Sequence, residues 1–119
     1  MAWATTTWEM EQGKDALLSL RFWIDSARTQ PWPFIDWDVN ATVSDTRGRN
    51  VWPVTIRATP LNGVLDLIFP EDSVNALKAG RTYRFDCGGW PPGAVEGDDH
   101  FLATGPVTVA LRTSRRDNP

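Results

Sequence analysis

An all-β sandwich is predicted, on three observations. Apolar residues alternate with polar ones over runs of strand length, and turn signals separate those runs at roughly 8–15-residue intervals. Nine Gly and nine Pro punctuate a chain of 119 residues, which suits many short strands and disfavours long helices. A chain of this length makes one domain with a core large enough to need no staples. The reading is of about seven antiparallel strands with one short helical corner. The core spans residues 8–113, and residues 114–119 form a polar tail. There is no internal repeat, heptad or low-complexity tract.

Each strand rests on its own alternation. Thr6, Trp8 and Met10 share one face of a first strand, and Gln12-Gly13-Lys14 is a turn. Leu18, Leu20, Phe22 and Ile24 form the inward face of a strand expected over residues 15–25. Residues 26–35 carry two prolines around Trp32 and read as a loop or irregular edge. Trp37, Val39, Ala41 and Val43 then face inward, before a hairpin turn at 45–50 in which Gly48 tolerates a positive φ. Trp52, Val54 and Ile56 face inward on the returning strand, where Pro53 marks an edge or a bulge because it has no N–H to give to a ladder.

The stretch 63–87 specifies the fold more closely. Leu65, Leu67 and Phe69 alternate on a strand that Pro70 ends. Glu71, Asp72 and Ser73 offer acceptors where a helix leaves bare N–H groups, and Val74 and Leu77 give one apolar stripe over a turn or two. Gly80 closes that corner, and Tyr83, Phe85 and Cys87 face inward on the next strand. The spacing Leu77-x-x-Gly80-x-x-Tyr83 suits a tyrosine corner, in which a buried ring returns its hydroxyl to backbone a few residues upstream. It resembles the L-x-P-G-T-x-Y corner of fibronectin type III domains, with Ala79 in place of the proline and Arg81 in place of the threonine. An immunoglobulin/fibronectin-III-like β-sandwich is therefore expected. Residues 88–99 read as its longest structureless loop, and a last strand interrupted at Gly105-Pro106 puts Val107, Val109 and Leu111 inside.

Composition narrows the function. The net charge of −3 speaks against nucleic acid as a partner, and no apolar run approaches a membrane span. The opening MAWATTTWEM is not laid out as a secretion signal, so the chain is expected to be made and kept in a cytoplasm, or assembled there into something larger. The single cysteine excludes an intrachain disulfide, and Cys87 reads as a small buried hydrophobe. Seven tryptophans, and arginine at every cationic position except Lys14 and Lys78, fit two explanations: an extensive contact surface, or a GC-rich genome with a tryptophan-filled core.

The candidate chemistry is thin. Glu96, Asp98, Asp99 and His100 form one cluster able to hold a cation, but the spacing fits no EF-hand and a solvated acidic loop explains it more simply. Asp36 and Asp38 share a strand face at the spacing of paired carboxylates, but outward polar positions account for them more simply. One histidine and no G-x-S-x-G leave no room for a triad, so neither an enzyme nor a metal or cofactor is expected. The candidate partner contacts are Trp32 between prolines, Trp90 between glycine and proline pairs, and Arg112, Arg115 and Arg116 near the end. Both tryptophans fit a second role, as lids over the sandwich ends.

The order of these features also resembles a known group of proteins. Glu11-Gln12-Gly13-Lys14-Asp15 leads into the apolar strand 17–24; Gly63-Val64-Leu65-Asp66-Leu67 follows; then comes Leu77-Lys78-Ala79-Gly80-Arg81-Thr82-Tyr83-Arg84-Phe85-Asp86, and Gly105-Pro106-Val107-Thr108-Val109 closes the series. This progression is similar to that of small phage tail, baseplate and fibre-attachment domains, most of all the LtfC-like β-sandwich proteins of actinobacteriophages. Cys87-Gly88-Gly89-Trp90 and the prolines at 91–92 depart from it. The resemblance transfers no catalytic residue. It implies a non-enzymatic component of a virion, a minor tail or fibre-attachment protein in multiple copies, docking onto other virion proteins. A capsid decoration protein of the same fold, and a carbohydrate-binding module for host surface glycans, are the alternatives.

Overall fold

The structure is a computed structural model and describes residues 4–25, 27–93 and 100–111. In chain order the elements are β1 (Ala4–Thr5), β2 (Trp8–Glu11), β3 (Ala16–Arg21), β4 (Asp38–Asp45), β5 (Val51–Thr59), a 3-10 turn (Pro60–Asn62), β6 (Val64–Phe69), α1 (Glu71–Ala76), β7 (Thr82–Trp90) and β8 (His100–Ala110). One sheet runs from β1 and β2 through β8, β7 and β4 to the first half of β5; the other joins the second half of β5 to β6 and β3. That is the strand order of an immunoglobulin-like sandwich. The expected all-β sandwich with one short helical corner is what the chain forms.

Strand β5 belongs to both layers. Residues 51–54 pair with β4 and residues 55–59 with β6. Pro53 sits one residue before the change of partner, where a missing N–H does least harm to either ladder. The layers meet through aromatic contacts: Trp8 lies edge-on to Phe69 of the opposite sheet at 6.3 Å and to Phe85 of its own at 5.7 Å. Leu65, Leu67, Val43, Leu102 and Val107 complete the sealed interior.

Five local expectations are corrected. First, the sandwich is not wholly antiparallel, because β1 and β2 run parallel to β8. The close approach needs Gly105, where an added Cβ would stand 1.5 Å from the Thr6 carbonyl oxygen. Second, the strand expected over 15–25 stops at Arg21 and Ile24 is 53% exposed. The chain turns back there, with the Asp25 carboxylate accepting from the N–H groups of Thr29 and Gln30 and from the Thr29 hydroxyl. Third, β8 runs unbroken through Gly105 and Pro106. Fourth, β8 ends before Leu111, which is 66% exposed instead of inside. Fifth, residues 88–90 belong to β7 instead of to a loop. Gly89 permits this, since a Cβ there would meet the Asp38 carbonyl oxygen at 2.8 Å. The tail 114–119 lies outside the described residues.

Candidate interaction surface

The pairing of β4 with β7 fixes which loops share an end of the sandwich. Asp45 lies opposite Tyr83 at one pole and Asp38 opposite Trp90 at the other.

At the first pole the predicted corner forms. The ring of Tyr83 is buried, edge-on to Trp52 at 5.8 Å, and its hydroxyl accepts from the Lys78 N–H at 2.9 Å. Leu77 is buried and Gly80 has φ +84°. The turn after β2 clamps the same corner from outside. Gln12 Nε2 donates to the Leu77 carbonyl oxygen at 2.9 Å, the Gly13 N–H donates to Asn75 Oδ1 at 2.9 Å, and the Asp15 carboxylate accepts from the Glu71 N–H at 2.7 Å. Asp15 thus serves the first turn of α1, a role the sequence suggested for residues 71–73. The Leu77 C=O and the Lys78 N–H belong to one peptide group, so that unit is held on both sides, by Gln12 and by Tyr83.

The second pole is aromatic. Phe22 and Phe34 meet edge-on at 5.5 Å, Phe34 and Trp37 at 5.4 Å, and Trp32 and Trp37 at 6.1 Å; the His100 ring lies 5.4 Å from Trp37. Two backbone hydrogen bonds tie the segment down, from the Trp32 N–H to the Phe22 carbonyl and from the Phe22 N–H to the Gly63 carbonyl. Gly63, at φ +68°, leaves room for them; a Cβ there would stand 2.5 Å from the Phe22 oxygen and 2.8 Å from the Trp32 nitrogen.

The structure brings Trp32 and Trp90 to this same pole in different settings. Trp32 is half-buried and packs on the core as a lid. Trp90 ends β7, half-buried, on the outward-facing side of the strand with Gly88 and Asp86. Arg112, Arg115 and Arg116 lie outside the described residues, as do Glu96, Asp98 and Asp99. Among the described residues no three His, Cys, Asp or Glu side chains gather as metal ligands. Asp36 and Asp38 do not share a strand face: Asp36 sits in a turn at φ +59° and β4 begins at Asp38. Cys87 is fully buried, and burial pushes its thiol up to about 12, so it is a core side chain and not a nucleophile at neutral pH.

Two sheet surfaces were missed from the sequence. The first is the outer edge of β3, which has no ladder partner among the described residues because β1 and β2 went to β8. Leu17, facing out on that strand, is 62% exposed; the consecutive pair Leu17-Leu18, breaking the alternation, was the available signal. The second is a shallow depression of about 340 Å3 on the outer face of β4, β7 and β8. It is lined by Asn40, Thr42, Asp86, Gly88 and Phe101, the last 41% exposed.

No family model matches the chain, and no curated protein matches it. Among solved structures it is similar to a chain from photo-crosslinking analyses of multimeric cell-adhesive interactions of VGSC beta subunits. The identity is 10% and the TM-score 0.46, over 91% of this chain and 92% of the other. The immunoglobulin-like architecture stands on the strand pairing described above.

Proposed function

We propose that the chain is a non-enzymatic structural component of a bacteriophage virion, a minor tail or fibre-attachment protein present in several copies and docked onto other virion proteins. The open β3 edge carries the reading. It has no proline and bears an exposed leucine beside the half-buried Ile68, a combination that free-standing sandwiches avoid because it invites strand addition. An assembly that covers this edge removes the hazard. The stretches that resemble virion domains support the same reading: they supply the Gln12–Asp15 clamp, β3, β6, the tyrosine corner and β8, all of them scaffold.

Gold-labelled antibody against the chain, applied to purified particles of the phage that encodes it, tests the proposal. Label on the tail is the expected result. Label on the capsid shell would make it a decoration protein, and a chain left in the cleared lysate would overturn the virion role. One observation favours a second reading, glycan binding: Phe101 and the polar groups of Asn40, Thr42 and Asp86 line one depression on the face that bears Trp90. Tryptophan fluorescence unchanged at millimolar host-wall sugar rejects it.

A further inference from the structure

The pole of Tyr83 carries an arginine groove that neither the fold nor the clamp explains. A cavity of about 630 Å3 lies between the β4–β5 hairpin and the start of β7, lined by Arg47, Arg49, Arg81, Thr46, Asn50 and Thr82, with Asp45 beside them. The hairpin is set by Asp45, whose carboxylate accepts from the N–H groups of Arg47 at 3.1 Å, Arg49 at 2.8 Å and Asn50 at 3.3 Å. Gly48, at φ +70°, completes the turn. These bonds use backbone only, so nothing in the turn requires arginine at 47 or 49. Arg81 is likewise held through its backbone, its N–H donating to the Lys78 carbonyl at 3.3 Å.

All three side chains are exposed, and among the described residues none of the three guanidinium groups meets a carboxylate or another acceptor. Nearby Arg84 contrasts with them, paired to Asp86 at 3.3 Å. In a chain whose acids outnumber its bases by 15 to 12, three unpaired arginines converging on one groove are a charge without its complement. Their backbones are fixed in advance, which lowers the ordering cost of binding.

We propose that this groove docks a carboxylate-rich segment of a partner protein. Each guanidinium fork matches a carboxylate in bidentate geometry, while the Thr46 and Thr82 hydroxyls offer neutral donors between them. The Asp45 carboxylate is already taken up by the N–H groups of the turn, and confinement of the arginine cluster to one pole of a molecule 52 Å long suits a few discrete carboxylates. A phosphate backbone needs a continuous cationic track. The inference rests on the docking half of the function proposed above and is independent of where in a particle the chain sits.

The test is a titration of the whole chain against a fluorescein-labelled peptide of alternating Glu and Gly, followed by anisotropy. The Glu peptide is expected to bind and its Gln counterpart not to. Arg47→Gln, Arg49→Gln and Arg81→Gln should each weaken binding about tenfold. Arg57→Gln, on β5 and away from the groove, should leave binding unchanged. All four variants should unfold at the midpoint of the parent chain. No binding of the Glu peptide at millimolar concentration overturns the proposal, as does equal binding of a thymidine oligonucleotide of the same charge. Self-association in sedimentation that Arg81→Gln abolishes also overturns it, since the occupant is then a second copy. A failed titration with the chain still on particles removes this site alone; a bound peptide with the chain absent from particles removes the virion role alone.

Discussion

The two poles of the sandwich are held by different physics. At the Tyr83 pole, directional hydrogen bonds from distant parts of the chain converge on one short corner. At the Trp37 pole, rings stack edge-to-face around a glycine that admits the backbone. A hydrogen-bonded corner loses an increment when one donor is removed, whereas a ring cluster loses its shape when one ring is removed. The comparison therefore predicts a steep response to truncation at the aromatic pole and a graded one at the corner.

The largest expected effect is Phe34→Ala. The ring is 2% exposed and touches both Phe22 and Trp37, so its removal should destabilise the chain by about 3–5 kcal/mol in urea unfolding. A loss below about 1 kcal/mol would mean that the cluster collapses freely and that the contrast between poles is false. Gly63→Ala should follow at about 3 kcal/mol, because the new Cβ meets two backbone atoms at 2.5 and 2.8 Å at a positive φ. The same substitution at Gly48 meets nothing within 4 Å and should bring only the smaller penalty of its φ. If both substitutions give equal losses, close approach is not what holds the aromatic pole.

These two regions were unequally legible in the sequence. Leu77, Gly80 and Tyr83 could be placed because a corner of this kind has a fixed local spacing, and the strand faces could be placed, apart from Ile24 and Leu111, because their alternation is local too. The Asp15–Glu71 and Gln12–Leu77 bonds join residues 56 and 65 positions apart, and no local pattern encodes a partner at that distance. The aromatic pole was hidden for the same reason: Phe22, Trp37 and His100 meet only after three strands have paired. Ile24 misled because its alternation continued past the point where Asp25 closes a turn and reverses the chain. The arginine groove was invisible because Arg81 reaches Arg47 and Arg49 only through the β4–β7 register.

Cys87, midway along β7, gives a reference that belongs to neither pole. Its burial raises the thiol from 9.0 to about 12, so the unfolded chain releases the proton first as pH rises. The stability held through the neutral thiol is complete below about pH 9 and is lost as pH climbs toward 12. Between about pH 8 and 10.5 the parent chain should lose roughly 2 kcal/mol more than Cys87→Ala, as read by urea unfolding at each pH. Parallel pH curves for the two chains would show that the thiol is solvated in the folded state.

The smallest effects sharpen the corner side of the comparison. Tyr83→Phe leaves the Lys78 N–H without its acceptor and should cost about 1.5 kcal/mol, with Gln12→Ala at about 1 kcal/mol. These two side chains grip opposite ends of one peptide group, so their losses should not simply add. Each hydrogen bond polarises the Leu77–Lys78 amide in the direction that strengthens the other. With Gln12 absent, the Tyr83 hydroxyl therefore holds a weaker donor, and the second substitution should remove less than it does alone. A double-mutant cycle in urea should show a coupling of about 0.5 kcal/mol. Additivity within experimental error would mean that the amide is held rigid by α1 and β7 without help from its clamps, and the corner would then owe its order to packing, as the aromatic pole does.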